Sequence, residues 1–186
     1  MLVSRKFVSD YIDLDKNLTI SQIAEDMTGV GNEYDYAHPL VNATNLVVGE
    51  VLECTDIPDT HLHNCKVNIG KFILDIVCGA PNVRVGIKVI VALPGAKLPG
   101  GEIKKSKIRG YESNGMLCSL AELGLDNKFL TSKDKEGIHE FSNDTKIGLD
   151  AIVALGLDDE VIDFELTSNR GDLLSILGVA YELGAI

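Results

Sequence analysis

The chain has 186 residues, 45% hydrophobic and 24% charged, with a formal net charge of −11 at pH 7. That length holds one ordinary domain or two small ones, and its longest apolar runs, such as VIVAL at 89–93, fall well short of the ~20 residues that span a bilayer. The opening MLVSRKFVSDYIDLDK has acids close behind its first bases and no apolar run, so it does not read as a secretory signal; the four cysteines are expected as thiols in a reducing, cytoplasmic setting with no membrane partner.

Taken in chain order, a short helix is expected from Arg5 to about Tyr11. Thr19-Ile20-Ser21-Gln22 has the form of a capping box, and Ile20, Ile23, Ala24 and Met27 then recur at helical spacing before Gly29 supplies a stop. The middle has a different grammar. VVGEVLEC (47–54), CKVNIG (65–70), KFILDIVCGA (71–80) and KVIVALPGA (88–96) read as strands rich in Val and Ile. Gly70-Lys71 suits a hairpin turn, while Pro94-Gly95 and Pro99-Gly100-Gly101 are strong breakers. LDNKFLTSKDKEG (125–137) is the most loop-like stretch. Val161 to Leu166 reads as a strand, and after Asn169-Arg170-Gly171-Asp172 the run LLSILGVAYELGA reads as a helix apolar nearly all round, which needs burial. The expected architecture is mixed, α+β: a small barrel or sandwich over 41–151, inserted into a discontinuous α/β domain made of 1–40 and 152–186.

Charge divides the same way. Residues 1–40 and 152–186 hold net charges of −4 and −6, while 41–151 hold −1. Within the middle, Lys97, Lys104, Lys105, Lys107 and Arg109 face only Glu102 over thirteen residues. A phosphate-seeking surface is expected there, set against the plainer reading of a hairpin kept soluble by its lysines.

Other patterns invite chemistry and fail. LPGAKLPGGE has the glycines of a phosphate loop, but Gly101-Glu102 stands where Lys-Ser/Thr must follow. DKNLTISQIAED has Ile20 where a calcium loop turns on Gly. Cys54, His61, His63 and Cys65 match no common zinc spacing. In KIRGYESNGMLCSLAELGL (107–125), Ser113, Cys118 and Ser119 offer nucleophiles, but the histidine nearest in sequence is His139, and Cys118 reads as an inert inward position. That stretch is expected to be a packed turn, and neither a catalytic nor a metal site is expected.

NLVVGEVLEC, DTHLHNCKVNIG, DIVCGAPNVRVGIKVIVALPGAKLPG and IKKSKIRGYESNGMLCSLAELGL together closely resemble the tRNA-binding OB-fold module found in endothelial-monocyte-activating-polypeptide-like domains and in tails of some methionyl-tRNA synthetases. The resemblance implies a five-stranded OB barrel. LTSNRGDLLSILGVAYEL is similar to the segment that resumes after the inserted OB domain in the β-subunit family of bacterial phenylalanyl-tRNA synthetases, departing from it at Ser168 and Gly171. The chain is therefore expected to be an N-terminal fragment of such a subunit. What this resemblance implies is an (αβ)₂ parent enzyme that attaches phenylalanine to tRNA with ATP and magnesium, at sites this fragment lacks. The expected partners are tRNA and the α subunit, not DNA; the fragment needs no cofactor of its own. With no Trp and 5% aromatic residues, Phe72, Tyr111, Phe129 and Phe141 offer little base stacking. RNA contact is expected to be electrostatic, from Lys97, Lys104, Lys105, Lys107 and Arg109 on one β-ribbon. The alternative is a structural spacer or subunit-interface module with little RNA binding.

Overall fold

A computed structural model describes residues 1–126, 128 and 130–186. The chain opens with β1 (Leu2–Ser4), α1 (Arg5–Ser9), α2 (Ile20–Gly29) and β2 (Tyr34–Pro39). Four longer strands follow, β3 (Leu46–Asp56), β4 (His63–Asn68), β5 (Ile73–Cys78) and β6 (Lys88–Ala92), and then the short β7 (Lys97–Leu98) and β8 (Gly101–Glu102). Then come β9 (Ser106–Ile108), β10 (Tyr111–Ser113), β11 (Met116–Cys118), α3 (Ser132–Lys135), β12 (Glu140–Phe141), α4 (Ala151–Ala154), β13 (Glu160–Phe164) and α5 (Ile176–Leu183). These elements gather into two compact units, one of Met1–Leu40 with Asp158–Ile186 and one of Val41–Leu157.

In the first unit, an antiparallel sheet of order β1-β13-β2 puts β13 at the centre. Ile162 and Phe164 of β13 are buried in one core with Ile20, Ile23, Ala24 and Met27 of α2. Each large apolar side chain so buried contributes about 1.5–3 kcal/mol. The capping box at Thr19 and Gln22 forms as read. Gly29 is the last helical residue, however, and it is Gly31, at φ +92°, that takes the left-handed position after the helix. Asp15, the first residue of the calcium-loop pattern, accepts the backbone N–H of Asn17 at 2.9 Å and so closes a turn.

The last helix is shorter than its apolar run suggests. Gly171–Leu173 is a 3-10 turn, and Ser175 caps α5 by accepting the N–H of Gly178 at 3.0 Å. Val179 and Ala180 are buried, whereas Leu177 and Tyr181 are exposed. Arg170 anchors this end: it donates to Glu182 at 2.9 Å, to Asp172 at 3.0 Å and to the buried Asn32 at 2.9 Å.

The second unit is a curled antiparallel sheet in which β11, β6, β3, β4 and β5 are neighbours in that order, with β12 continuing the β6 edge beside β11. This is the strand order of an OB barrel, plus one two-residue strand beyond the five expected. Curling needs close approach, and Gly49 provides it: a Cβ there would lie 2.6 Å from Val91 Cγ2 and 2.8 Å from Val67 Cγ1. A register shift between Val51 and Glu53 adds to the bend. Val51, Cys65, Val67, Ile76, Val89, Val91 and Leu117 fill the interior. Over β5, Asn114 donates its N–H to Asp75 O at 2.8 Å, and Val77 donates its N–H to Ser113 Oγ at 3.1 Å, which folds the β10–β11 segment back onto the sheet.

Candidate functional site

The basic segment is built on the exit from β6. Pro94-Gly95 breaks that apolar strand, and Lys97 is then fixed through its backbone, accepting the N–H of Thr44 at 3.0 Å and donating to Thr44 Oγ1 at 3.3 Å. Leu98 turns inward and is buried, leaving Lys97 exposed. After the Pro99-Gly100 turn, β8 returns, and Ile103 donates to Ala96 O at 2.8 Å. Lys104 and Lys105 lie outside any ladder and are exposed. Lys107 is exposed on β9.

Arg109 and Gly110 form the two-residue turn between β9 and β10, with φ of +53° and +92°. Positive φ at both positions is the geometry of a type I′ hairpin turn, which suits the sheet twist but favours Asn-Gly over Arg-Gly. Arg109 therefore holds a left-handed backbone that L side chains adopt at a cost of about 1 kcal/mol.

The five cations do not share one β-ribbon. They occupy two separate ladders, β7–β8 and β9–β10, joined by residues 103–105. Two carboxylates sit in register with them: Glu102 opposite Lys97, and Glu112 opposite Lys107. Glu112 lies three residues beyond Arg109 in sequence, and the hairpin turn is what brings it opposite Lys107. Lys107 and Glu112 occupy the ladder face opposite Ser113, whose hydroxyl is tied to β5. Among the described residues, none of the five cationic side chains takes part in an ion pair.

Beside this segment the barrel carries two grooves that meet at Met116 and Glu122. One, of about 370 Å³, is lined by Leu98, Gly101 and Ile103. The other, of about 430 Å³, is lined by Cys78, Ser119, Lys135 and Gly137. Lys135 comes from the stretch read as loop; Thr131 caps a short helix there by accepting the N–H of Asp134. The Thr131-Ser132-Lys133-Asp134 spacing was the signal for it.

The nucleophile candidates are structural. Cys118 is fully buried, and burial, with Glu122 next in weight, pushes its thiol up to about 12. Ser119 donates to Glu122 at 2.9 Å. The His139 ring pairs with Asp134 at 3.4 Å and stands edge-on to Phe141. Of the possible metal ligands, Cys54 and Cys65 face each other with Sγ atoms 3.8 Å apart, while His63 pairs with Asp56 at 2.8 Å. Among the described residues no group of three or more His, Cys, Asp or Glu side chains is placed to hold a metal ion. Of the aromatic residues, Phe72 is exposed at the β4–β5 turn, Tyr111 is partly exposed beside the basic tip and Phe141 is half-buried; Phe129 lies outside the described residues. Among the described residues no helix is long and apolar enough to cross a membrane.

Comparison with known proteins places the chain among relatives. The family model described as "Putative tRNA binding domain" matches residues 46–150. The whole chain is 46% identical over 188 residues to the phenylalanine–tRNA ligase β subunit of Streptococcus pneumoniae, covering 23% of that protein. It is 48% identical over 190 residues to the same subunit of Halalkalibacterium halodurans, again covering 23%. The chain thus spans about a quarter of the length of these curated relatives. A MetRS-related protein from Pyrococcus horikoshii overlaps 55% of this chain and 84% of its own, with a TM-score of 0.39 and 22% identity, too loose a match to argue from.

Proposed function

For a chain that belongs to the tRNA-binding domain family, we propose an auxiliary, mainly electrostatic grip on tRNA, exercised within the β subunit of a phenylalanine–tRNA ligase. The observation that carries this reading is the basic segment: five exposed cations without ion-pair partners among the described residues, one of them, Arg109, held at a hairpin tip in a backbone conformation its side chain disfavours. Strain retained where a charged side chain is displayed is what a contact surface would select for. Lysine and arginine contacts to phosphate carry affinity and little sequence preference. A grip of about 3–5 phosphate contacts is weak alone and becomes useful when the rest of a synthetase holds the same tRNA, because its effective concentration is then high.

The parent ligase, on this reading, works in the cytoplasm as an (αβ)₂ assembly with the α subunit, joining phenylalanine to tRNA with ATP and magnesium. Two features of the described residues bear on a metal or a nucleotide phosphate. The described carboxylates and thiols form no metal-holding group, and the glycine turn at 94–101 runs into Glu102 where a phosphate loop needs Lys-Ser/Thr. No step of the reaction is assigned to this chain.

A second reading, a spacer or interface module with little RNA binding, draws on the in-register Glu102 and Glu112, which offset Lys97 and Lys107. Reversing Lys104, Lys105 and Lys107 to Glu separates the two. The grip predicts loss of tRNA retention at low salt with unchanged thermal unfolding. Retention equal to wild type would leave only the spacer.

A further inference from the structure

Cys54 on β3 and Cys65 on β4 are direct cross-strand partners. We propose that they form a dithiol modification site, oxidised by a hydroperoxide to a Cys54–Cys65 disulfide and restored by a thiol reductant. Directly opposed residues of an antiparallel ladder have Cα atoms about 4.5–5.5 Å apart, inside the roughly 4.4–6.8 Å that a disulfide accepts. The sulfurs, already 3.8 Å apart, need to close to about 2.05 Å, a distance that side-chain rotation covers without moving either strand.

The two thiols are unequal, which sets the order of events. Cys54 is half-buried and Cys65 is fully buried; burial, reinforced by Cys54 itself, pushes the Cys65 thiol up. Oxidation therefore starts on Cys54, the less buried of the two. Its thiolate attacks one peroxide oxygen, the O–O bond breaks, and the departing oxygen takes a proton and leaves as water or alcohol. Cys54 is now a sulfenic acid. Cys65 Sγ then attacks that sulfur, the S–O bond breaks, and the hydroxide leaves as water with the proton from Cys65. Two thiols have lost two electrons, and one O–O bond has gained them. The remaining thiols each have another hydrogen-bond partner. Cys118 donates to Met116 O at 3.8 Å, and Cys78, also buried, accepts the N–H of Ala80 at 3.4 Å.

The test keeps the whole chain folded during treatment with hydrogen peroxide, quenches the peroxide, then denatures in excess alkylating agent so that the buried thiols are also reached, and reads intact mass. Non-reducing Asp-N digestion follows, because Asp56 and Asp59 separate the two cysteines. Expected are the loss of two hydrogens, a cross-link between the Cys54 and Cys65 peptides, and recovery of both thiols with dithiothreitol. Cys65→Ser must accumulate a Cys54 sulfenic acid trapped by dimedone, and Cys54→Ser must leave Cys65 reduced. Wild-type protein in which both thiols remain alkylatable, in which Cys54 proceeds to sulfinic acid while Cys65 stays reduced, or in which the link involves Cys78 or Cys118 would overturn the proposal.

Discussion

Lys107 and Glu112 stand directly opposite each other across the β9–β10 ladder. Opposed residues of an antiparallel pair share one face, so a carboxylate stands on the same face as that lysine, although the two side chains form no ion pair. Glu102 does the same for Lys97 on β7–β8. Exposed opposite-charge pairs are each worth about 0.2–1 kcal/mol. Replacing both acids, Glu102→Gln with Glu112→Gln, should therefore tighten tRNA binding about two- to tenfold at low salt. Filter binding checks this; weaker binding by the double variant would mean that the acids themselves contact RNA.

Arg109 should trade stability for function. Asn tolerates the left-handed conformation of a type I′ turn far better than Arg. Arg109→Asn is expected to stabilise the chain by about 0.5–1 kcal/mol while lowering the salt dependence of tRNA binding by about one phosphate contact. Urea unfolding alongside a salt titration reads both effects. A destabilised variant with undiminished tRNA binding would show that the turn, not the guanidinium, is what this position supplies.

Ser113 is a joint and not a nucleophile. Its buried hydroxyl accepts from Val77 N–H and donates to Gly115 O, both at 3.1 Å. Ser113→Ala strands a buried N–H and should cost about 1–3 kcal/mol in urea unfolding. Gly115→Ala should cost more, because its Cβ would lie 2.7 Å from the Ala92 carbonyl oxygen. Unfolding curves indistinguishable from wild type for both variants would remove this structural role.

Glu140 makes the second unit sensitive to acid. The Arg84 guanidinium, with Asn82 and Lys133, holds its carboxyl at about 2, well below the usual carboxylate range. A carboxyl depressed in the folded state stabilises above its unfolded value and loses that contribution as pH falls through the folded one. Glu140→Gln should cost about 1–3 kcal/mol at neutral pH, and the gap from wild type should close between about pH 5 and pH 2. A gap that stays constant over that window would point to packing alone.

How legible these features were depended on how local their causes are. The capping box at Thr19 and Gln22 and the buried face of α2 depend on residues within one helix, so spacing revealed both. The Val- and Ile-rich runs announced β3 to β6, because strands buried in a curled sheet carry dense β-branched residues. β2 went unseen: YDYAHP carries no strand pattern of its own, and it becomes a strand because β13 offers an edge to pair with. α5 looked longer than it is, since Ser175 caps a helix inside an apolar run that masks the cap. The five cations were found by composition, but their division into two ladders, with an acid opposite Lys97 and another opposite Lys107, is a matter of register that turns impose. Arg170 showed no sign of its role, because Asn32 and Glu182, which it joins, are remote in sequence.

The measurement closest to the central claim is the salt dependence of tRNA binding by the intact chain, from about 50 to 200 mM monovalent salt. Contacts from Lys97, Lys104, Lys105, Lys107 and Arg109 predict a log–log slope of roughly −2 to −4, falling toward zero when Lys104, Lys105 and Lys107 are all replaced by Ala. A slope near zero for the wild type, or one that the triple replacement leaves unchanged, would contradict the account.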